Sequence, residues 1–416
     1  MARRIVILGG GFGGFALARE LERRARPGEL EVTIVDRRNY SLFTPMLPEV
    51  ASGGIEPRHI TPPFRSSLHR TTFELGTILA VDGEKKTVTI ERPRAAGTVD
   101  VPFDELVVAV GAENSTHGVP GADVHGLPLK TLEDAIVMRD AVVTALELAA
   151  TTDDLDERRS RATFAVVGGG FTGVEVVGEL NAYVRDVLPK FAPLDVADLR
   201  VVIVVGGKAL LHQLPAAVGE RAAAMLARRG IEVIFDDTVA AVDGGGLTLA
   251  SGTRISSGTV VWSAGVRAMP LVEKLGVPLV AHHAIPVEPD LSVTGMPGYW
   301  ALGDCAHVPK RGGGAYPQTA QHATHQAVRL ANNLLRRARG RATKPYVYKG
   351  AGMMASIGAH EGVASLGPGI ILAGLPAWFL WRTFYLSQLP SLGRKVRVAL
   401  DWTLDVRLSK DIASIR

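Results

Sequence analysis

Cysteine is nearly absent: Cys305 is the only one in 416 residues. That excludes disulfide frameworks, cysteine-rich zinc sites, iron–sulfur clusters and any CxxC redox pair. It also suits a reducing compartment. Aromatic residues are few, at 6%. No uninterrupted apolar run reaches the ~18 residues that a spanning helix needs, so neither a membrane-crossing segment nor a proton pump built on one is expected. The chain opens Met1-Ala2-Arg3-Arg4 and runs straight into Ile5-Val6-Ile7-Leu8, so no secretory leader is expected. Charge of one sign is not in excess. Lys and Arg number 46 against 42 Asp and Glu, a net +4. That is too mild for a nucleic-acid partner. His282 and His283 are adjacent, lack metal-ligand spacing and read as loop residues. No metal site is expected.

What is present is apolar and glycine-rich. Hydrophobic residues make up 47% and glycines number 46. The length suggests two or three domains, and Gly, Ala and Val with few aromatics suit tight βα turns and parallel sheets. Residues 4–8 read as a buried strand. Gly9-Gly10-Gly11-Phe12-Gly13-Gly14 follows, then a helical stretch to Arg24, then a second apolar strand ending in Asp36. This is a βαβ unit with GxGxxG at its turn. The first glycine makes the turn, the second lets backbone approach a pyrophosphate, and the third lets helix pack on strand. Asp36, 22 residues after Gly14, stands where a carboxylate can take both ribose hydroxyls.

The unit recurs about 160 residues later, as an apolar strand at 163–167, then Gly168-Gly169-Gly170-Phe171-Thr172-Gly173, then a helix. Two such units indicate two nucleotide domains. The second departs at its most informative place. Its following strand ends Val204-Val205-Gly206-Gly207-Lys208, with Val205 or a neighbour where the ribose acid belongs. Without a carboxylate the usual preference for NAD over NADP loses its cause. Lys208 is either a partner for a 2′-phosphate or a solvated surface charge. Tyr299-Trp300-Ala301-Leu302-Gly303-Asp304 reads as a strand ending in Gly-Asp, which returns the chain to the first domain and makes that domain the flavin site. Residues 103–110 with Gly111-Ala112, and 259–262 with Ser263-Ala264-Gly265, read as strands at crossings between domains. Residues 151–161 are highly charged and read as a solvated linker.

With these segments in view the chain resembles the type II NADH dehydrogenases, single-subunit NADH:quinone oxidoreductases among the flavoproteins with two dinucleotide-binding domains. The likeness runs through residues 5–14, 36–40, 42–51, 118–121, 129–135, 168–180, 262–266, 289–293, 301–306, 317–321 and 389–412. It implies an α/β fold of two Rossmann-like domains (the glutathione-reductase-like FAD/NAD(P) fold) with a C-terminal membrane-association segment. The implied division is an FAD domain at 1–112 and 290–345, a nicotinamide-nucleotide domain at 113–289, and a membrane or dimer segment at 346–416. FAD contacts are implied for Gly9, Gly11, Phe12, Gly13, Gly14, Asp36, Arg37, Thr44, Ala112, Asp304 and Ala320. NADH, or NADPH, would meet Gly168, Gly170 and Gly173, with Ala264 and Gly265 beside the cofactors. Glu175 is implied in proton or quinone handling, and Glu179 sits one turn later on the same face. The family's quinone segment carries two glutamines four residues apart. Here Gln321 matches the first and His325 replaces the second. An imidazole donates a hydrogen bond and exchanges a proton near neutral pH. Otherwise His322 and His325 are surface or packing histidines. Cys305 has no partner thiol, which excludes dithiol and sulfide:quinone chemistry and leaves it a packing role.

Residues 370–381 are apolar and hold two of the five tryptophans, but twelve residues with Pro376 are too short to span. Residues 389–410 mix apolar side chains with Arg394, Lys395, Arg397, Arg407 and Lys410. That suits a helix lying in the plane of a membrane interface, with basic groups toward anionic lipid. A dimer interface or a lid over the flavin is the competing account, and an apolar platform can serve both. The expectation is a homodimeric enzyme, peripheral on the cytoplasmic face of the cell membrane, that passes two electrons to a quinone. Two alternatives stay open: a soluble flavin oxidoreductase acting on a non-respiratory quinone or aromatic substrate, and a flavin- or NAD-binding sensor without turnover.

Overall fold

The computed structural model describes residues 2–93, 97–348, 350, 352–367 and 369–414. The chain forms two compact units. The first comprises Met1–Leu42, Thr61–Glu113 and Val266–Lys349, the second Phe43–Ile60, Asn114–Gly265 and Gly350–Arg416.

The first unit is built on a five-stranded sheet in the order Tyr299–Ala301, Glu105–Val108, Arg3–Leu8, Leu30–Asp36, Thr71–Leu75, with every neighbouring pair parallel. Residues 5–8 and 106–108 are at most 1% exposed. Such β-branched runs without polar alternation are what a parallel sheet covered on both faces requires. The helix Phe12–Arg24 offers Leu17, Ala18 and Leu21 to the core, and the helix Ala320–Ala338 adds Ala327, Leu330 and Leu334. A three-stranded antiparallel meander, Thr77–Asp82, Thr87–Glu91 and Thr98–Pro102, completes the unit.

The second unit repeats the plan. Its five parallel strands run Ile231–Ile234, Arg200–Val204, Thr163–Val167, Thr259–Trp262, Gly126–Pro128. A small antiparallel sheet of Val239–Asp243, Gly246–Leu249 and Arg254–Ser256 follows. The C-terminal part adds three antiparallel strands, Met353–Gly358, Glu361–Ser365 and Ile371–Gly374, then the helices Leu375–Gln388 and Leu392–Asp405. This sheet meets the helix Phe171–Val187 backbone to backbone. A Cβ on Gly178 would lie 2.1 Å from the Ile357 carbonyl oxygen, and one on Gly358 would lie 2.3 Å from that of Gly178. Only glycine fits at such a crossing.

Three features differ from the sequence reading. Residues 266–289, read with the nicotinamide-nucleotide domain, fall in the first unit, because Val272, Leu275, Val277, Ile285 and Val287 are buried in its core. Residues 350–416 join the second unit instead of standing apart, and Phe43–Ile60 goes with them. The charged stretch at 151–161 is not an open linker. It ends one helix, Leu132–Thr151, and forms another, Leu155–Arg161. Asp154 caps the second by accepting the N–H groups of Asp156 and Glu157, and an Arg161–Glu157 pair one turn apart supports it. That helix has no buried residue, so its exposure follows the expectation while its conformation does not. Among the described residues no helix is long and apolar enough to cross a membrane.

Candidate functional site

The two glycine turns are geometric copies. Gly9 and Gly168 have φ of +95° and +116°, a region that L side chains avoid. Each donates its N–H to the second strand of its unit, Gly9 to Val35 at 2.8 Å and Gly168 to Val204 at 2.9 Å. A Cβ on Gly14 would sit 1.9 Å from the Gly9 carbonyl oxygen, and one on Gly173 1.8 Å from that of Gly168. These third glycines are therefore fixed by helix–turn contact. At Gly11 and Gly170 the situation reverses, and a Cβ would meet nothing within 4 Å. Both are N-cap residues of helices with no side-chain cap and no acid in the first turn. Each helix thus begins without a side-chain cap, beside a glycine whose side-chain position is open, an arrangement that suits an anion cradle. Both cradles fit the pyrophosphate of a dinucleotide.

Strand register gives the equivalent position in each unit, where a ribose-binding acid was expected. Leu8 pairs with Val35 and the next residue is Asp36; Val167 pairs with Val204 and the next is Val205. Asp36 accepts the N–H of Gly10 at 2.7 Å and of Arg38 at 2.8 Å. Burial pushes its carboxyl above the ordinary value against those bonds. Val205 is 3% exposed, and its side chain fills the place where a Gly169 Cβ would go, 2.6 Å away. The second cradle therefore carries an apolar residue where the first has its acid. Lys208 is exposed in the loop that follows.

Around the first cradle the fold gathers several of the expected residues. Leu302 donates to the Val108 carbonyl at 3.1 Å, and its Cδ1 fills the space over Gly13. The Gly303–Cys305 turn is tied to the helix Ala320–Ala338 by Gly303 N–H to Gln326 Oε1 at 2.7 Å, and Gln318 donates to the Asp304 carbonyl at 2.6 Å. Asp304 and Ala320 thereby share one neighbourhood with the glycine turn. Arg37 is exposed beside Asp36, and Ala112 is half-buried in the same unit. Thr44 belongs to the second unit, at the short turn Thr44–Met46. Gln321 is half-buried and His325 exposed, one turn apart at the start of their helix, with His325 against the Tyr348 ring at 5.1 Å. His322 is a packing histidine. It lies among Tyr316, Tyr346 and Tyr348, with Nδ1 3.0 Å from the Tyr346 hydroxyl. Burial holds it down at about 4. Cys305 is fully buried, and burial pushes its thiol up to about 11, so no thiolate is available.

In the second unit, Ala264 and Gly265 close the other turn. A Gly168 Cβ would lie 2.9 Å from the Ala264 nitrogen, and Gly265, at φ +75°, has His117 where its own Cβ would go. Trp262 Nε1 donates to the Ser115 and Ala264 carbonyls at 2.9 and 3.0 Å. Glu175 lies in the second turn of its helix, where the helix dipole counts for little. Its setting is burial instead. It is 7% exposed and accepts Ser356 N–H at 3.2 Å and Trp381 Nε1–H at 3.0 Å. Burial, aided by the charges of Glu49 and Glu179, pushes its carboxyl up to about 8. Glu49 is equally buried and is pushed to about 8 by desolvation, although Arg382 opposes this from 3.4 Å. Arg382 lies between Trp378 and Trp402, at 4.1 and 4.6 Å from their ring centroids. Glu175 thus holds a proton at neutral pH within a low-dielectric site, which equips it as a general acid. Sequence reasoning missed Glu49, Ser356 and Trp381 here. The one available signal was an acid inside the apolar run at 42–51.

Comparison with known proteins agrees with this geometry. The profile of the pyridine nucleotide-disulphide oxidoreductase family matches residues 3–327, and that of the NDH2 C-terminal domain matches residues 348–408. The type II NADH:quinone oxidoreductase Ndh of Mycobacterium tuberculosis is 32% identical over 416 residues, covering 96% of this chain and 87% of that one. The demethylphylloquinone reductase NdbB of Synechocystis is 32% identical over 406 residues, covering 96% and 95%. The structure of NDH2 from Plasmodium falciparum in complex with NADH superposes with a TM-score of 0.91 over 99% of this chain and 100% of that one. At 22% identity it speaks for the fold alone. Two uncapped glycine cradles, a lone buried thiol that rules out dithiol chemistry, and these matches lead to one assignment: the chain belongs to the type II NADH:quinone oxidoreductase family.

Proposed function

We propose that this protein oxidises NADH with FAD and reduces a quinone, and that each named residue acts as follows. The observation that carries the reading is the repeated cradle: an open glycine position at an uncapped helix start, once per unit. The first cradle, with Gly9, Gly11, Phe12, Gly13, Gly14, Asp36, Arg37, Ala112, Asp304 and Ala320, holds FAD, and Thr44 contributes from its turn. The second, with Gly168, Gly170, Gly173, Ala264 and Gly265, holds the nicotinamide nucleotide. When bound, FAD supplies the two-electron chemistry that joins a hydride donor to a quinone. The chain's own work is to bind, orient and deliver protons. Glu175 carries the proton that the quinone takes up, and Gln321 and His325 hydrogen-bond the quinone carbonyl. With Val205 at the ribose position, NADPH is accepted beside NADH.

The membrane is the proposed working surface. Leu392, Val396, Leu400 and Leu404 recur every four residues along the last helix, and each is at least 50% exposed. Leu375 and Phe379 on the preceding helix are 60% and 66% exposed. Arg394, Lys395 and Arg397 flank that stripe. A patch of this kind on a short amphipathic helix seats in the interface plane. The protein is proposed to work there as a peripheral homodimer at the cytoplasmic face. The test is anaerobic. The flavin-loaded protein is mixed with NADH, then with NADPH, and the reduced protein is mixed with a short-chain ubiquinone or menaquinone. Bleaching by NADH and recovery by the quinone support the reading; no bleaching by either nucleotide refutes it.

A further inference from the structure

Within the second unit the buried carboxyl of Glu175 does not stand alone. Glu179, one turn on, is also buried, and Ser356 joins the two. The backbone N–H of Ser356 donates to Glu175 Oε1 at 3.2 Å and its hydroxyl to Glu179 Oε1 at 3.3 Å. The other oxygen of Glu179 accepts the Ser52 hydroxyl at 3.4 Å. Ser52 Oγ in turn lies 3.4 Å from Lys410 Nζ, and 3.2 Å from the Glu49 carbonyl, the other place its proton can point. Lys410 sits 3.6 Å from Asp405 and belongs to the C-terminal tail. The tail is strapped down by its own backbone. Lys410 N–H donates to Asp186 at 2.8 Å, Tyr183 and Arg139 both donate to the Asp411 carbonyl at 3.1 Å, and Lys190 donates to the Lys410 carbonyl.

We propose that Lys410, Ser52 and Glu179 form the path by which a solvent proton reaches Glu175. The inference rests on the reading above, that Glu175 serves quinone reduction. The balance of that reaction requires such a path. NADH, one proton and a quinone give NAD⁺ and a quinol. The nicotinamide delivers two electrons and one proton as hydride, so the second quinol proton comes from solution. Once Glu175 has given its proton it is a carboxylate facing Glu49 and Glu179, out of contact with bulk water. It has to be recharged before the next turnover. Lys410 passes a proton to the Ser52 oxygen while the Ser52 hydroxyl hands its own to Glu179. Glu179 then gives its proton directly to Glu175, one turn away on the same buried helix face, while Ser356 holds the two in place by donating its backbone N–H to Glu175 and its hydroxyl to Glu179; Lys410 regains its proton from solvent.

The charges around this line are mixed, as a relay needs. Glu49, Asp405 and the Tyr385 phenol face the carboxyls from the Leu47–Ala51 helix and the two C-terminal helices. Arg382 faces Glu49, and Arg229 faces Glu179 while donating to the Gly178 carbonyl at 3.2 Å. Glu49 is buried beside Trp402 and Arg382, and desolvation favours its neutral form over the ion.

Ser52→Ala removes one hydroxyl and Glu179→Gln one titratable site. The first readout needs no cofactor. After mixing cofactor-free protein into D₂O, the infrared carbonyl band of the buried protonated carboxyls shifts as they exchange. Both variants are expected to slow that exchange. The second readout uses flavin-loaded protein. Bleaching by NADH stays at the parent rate, while reoxidation by a soluble quinone slows by about tenfold or more, short of the roughly 10²–10⁴ of a direct acid. The slowing grows with pH, and added imidazole restores it. Lys410→Met is expected to behave the same way. Exchange and reoxidation at parent rates in Ser52→Ala overturn the path even if Glu179→Gln fails to fold. A parent protein that bleaches with NADH but reduces no quinone instead overturns the underlying reading.

Discussion

Replacing Glu175 by Gln should make the protein more stable, and increasingly so as pH rises. In the unfolded chain this carboxyl ionises near 4.5; in the fold it keeps its proton until about 8. Stability linked to the group is therefore complete below pH 4.5. It declines by about 1.4 kcal/mol per pH unit until the folded value is passed, then levels off. Across the roughly 3.5 pH units between the two values the ceiling is about 5 kcal/mol. Glutamine does not titrate, and its carbonyl oxygen still accepts from Ser356 N–H and Trp381 Nε1–H. Glu49 titrates in the same window, and because the two carboxylates repel one another, the difference between the proteins reports Glu175 together with its coupling to Glu49. About 3.5 kcal/mol of that ceiling falls between pH 5 and pH 8, so at ~2–4 °C per kcal/mol for a unit of this size the gap in Tm should open by roughly 7–14 °C over that range. Thermal melts of flavin-loaded parent and variant, across that range and without nucleotide, measure it. Parallel pH curves would refute the claim that burial holds a proton on Glu175.

The remaining predictions concern the cradles and the membrane face. Gly11→Ala should fold with a parent-like Tm yet lose most of its flavin absorbance, because its Cβ enters only open space. Gly14→Ala should lower Tm outright, since its Cβ overlaps the Gly9 carbonyl. Gly170→Ala should load flavin normally but bleach poorly with NADH in stopped flow. Val205→Asp should lower the KM for NADH relative to NADPH by roughly ten- to hundredfold, the worth of a charge-assisted hydrogen bond to ribose; an unchanged ratio counts against the register argument. The pair Leu400→Glu and Leu404→Glu should abolish sedimentation with anionic vesicles, each leucine contributing about 1.5–3 kcal/mol when buried. Turnover with a water-soluble quinone should persist.

What could be read from the chain was what is local in it. Each cradle is a strand, a turn and a helix within about 30 residues, and even the Val205 departure was visible because strand register counts residues. The carboxyl cluster was not visible. Glu49, Glu175, Ser356 and Trp381 come from four separate segments, and nothing in a linear pattern reports that a lone acid in an apolar run will meet an arginine held between two tryptophans. The fate of residues 266–289 was hidden for a similar reason. Val272, Val277 and Ile285 advertise burial but not the core that receives them. The charged run at 151–161 misled because capping by Asp154 and a single pair one turn apart were enough to make it helical.

The Gly178–Gly358 crossing has an evolutionary corollary. Where two main chains touch without intervening side chains, there is no rotamer to readjust and no volume to trade between partners. Exchange of the C-terminal portion among relatives therefore succeeds as a cassette only when the incoming piece carries the equivalent of Gly358 and the receiving helix keeps that of Gly178. A graft that brings alanine in place of Gly358 will part the new piece from the helix Phe171–Val187, whatever its exposed face.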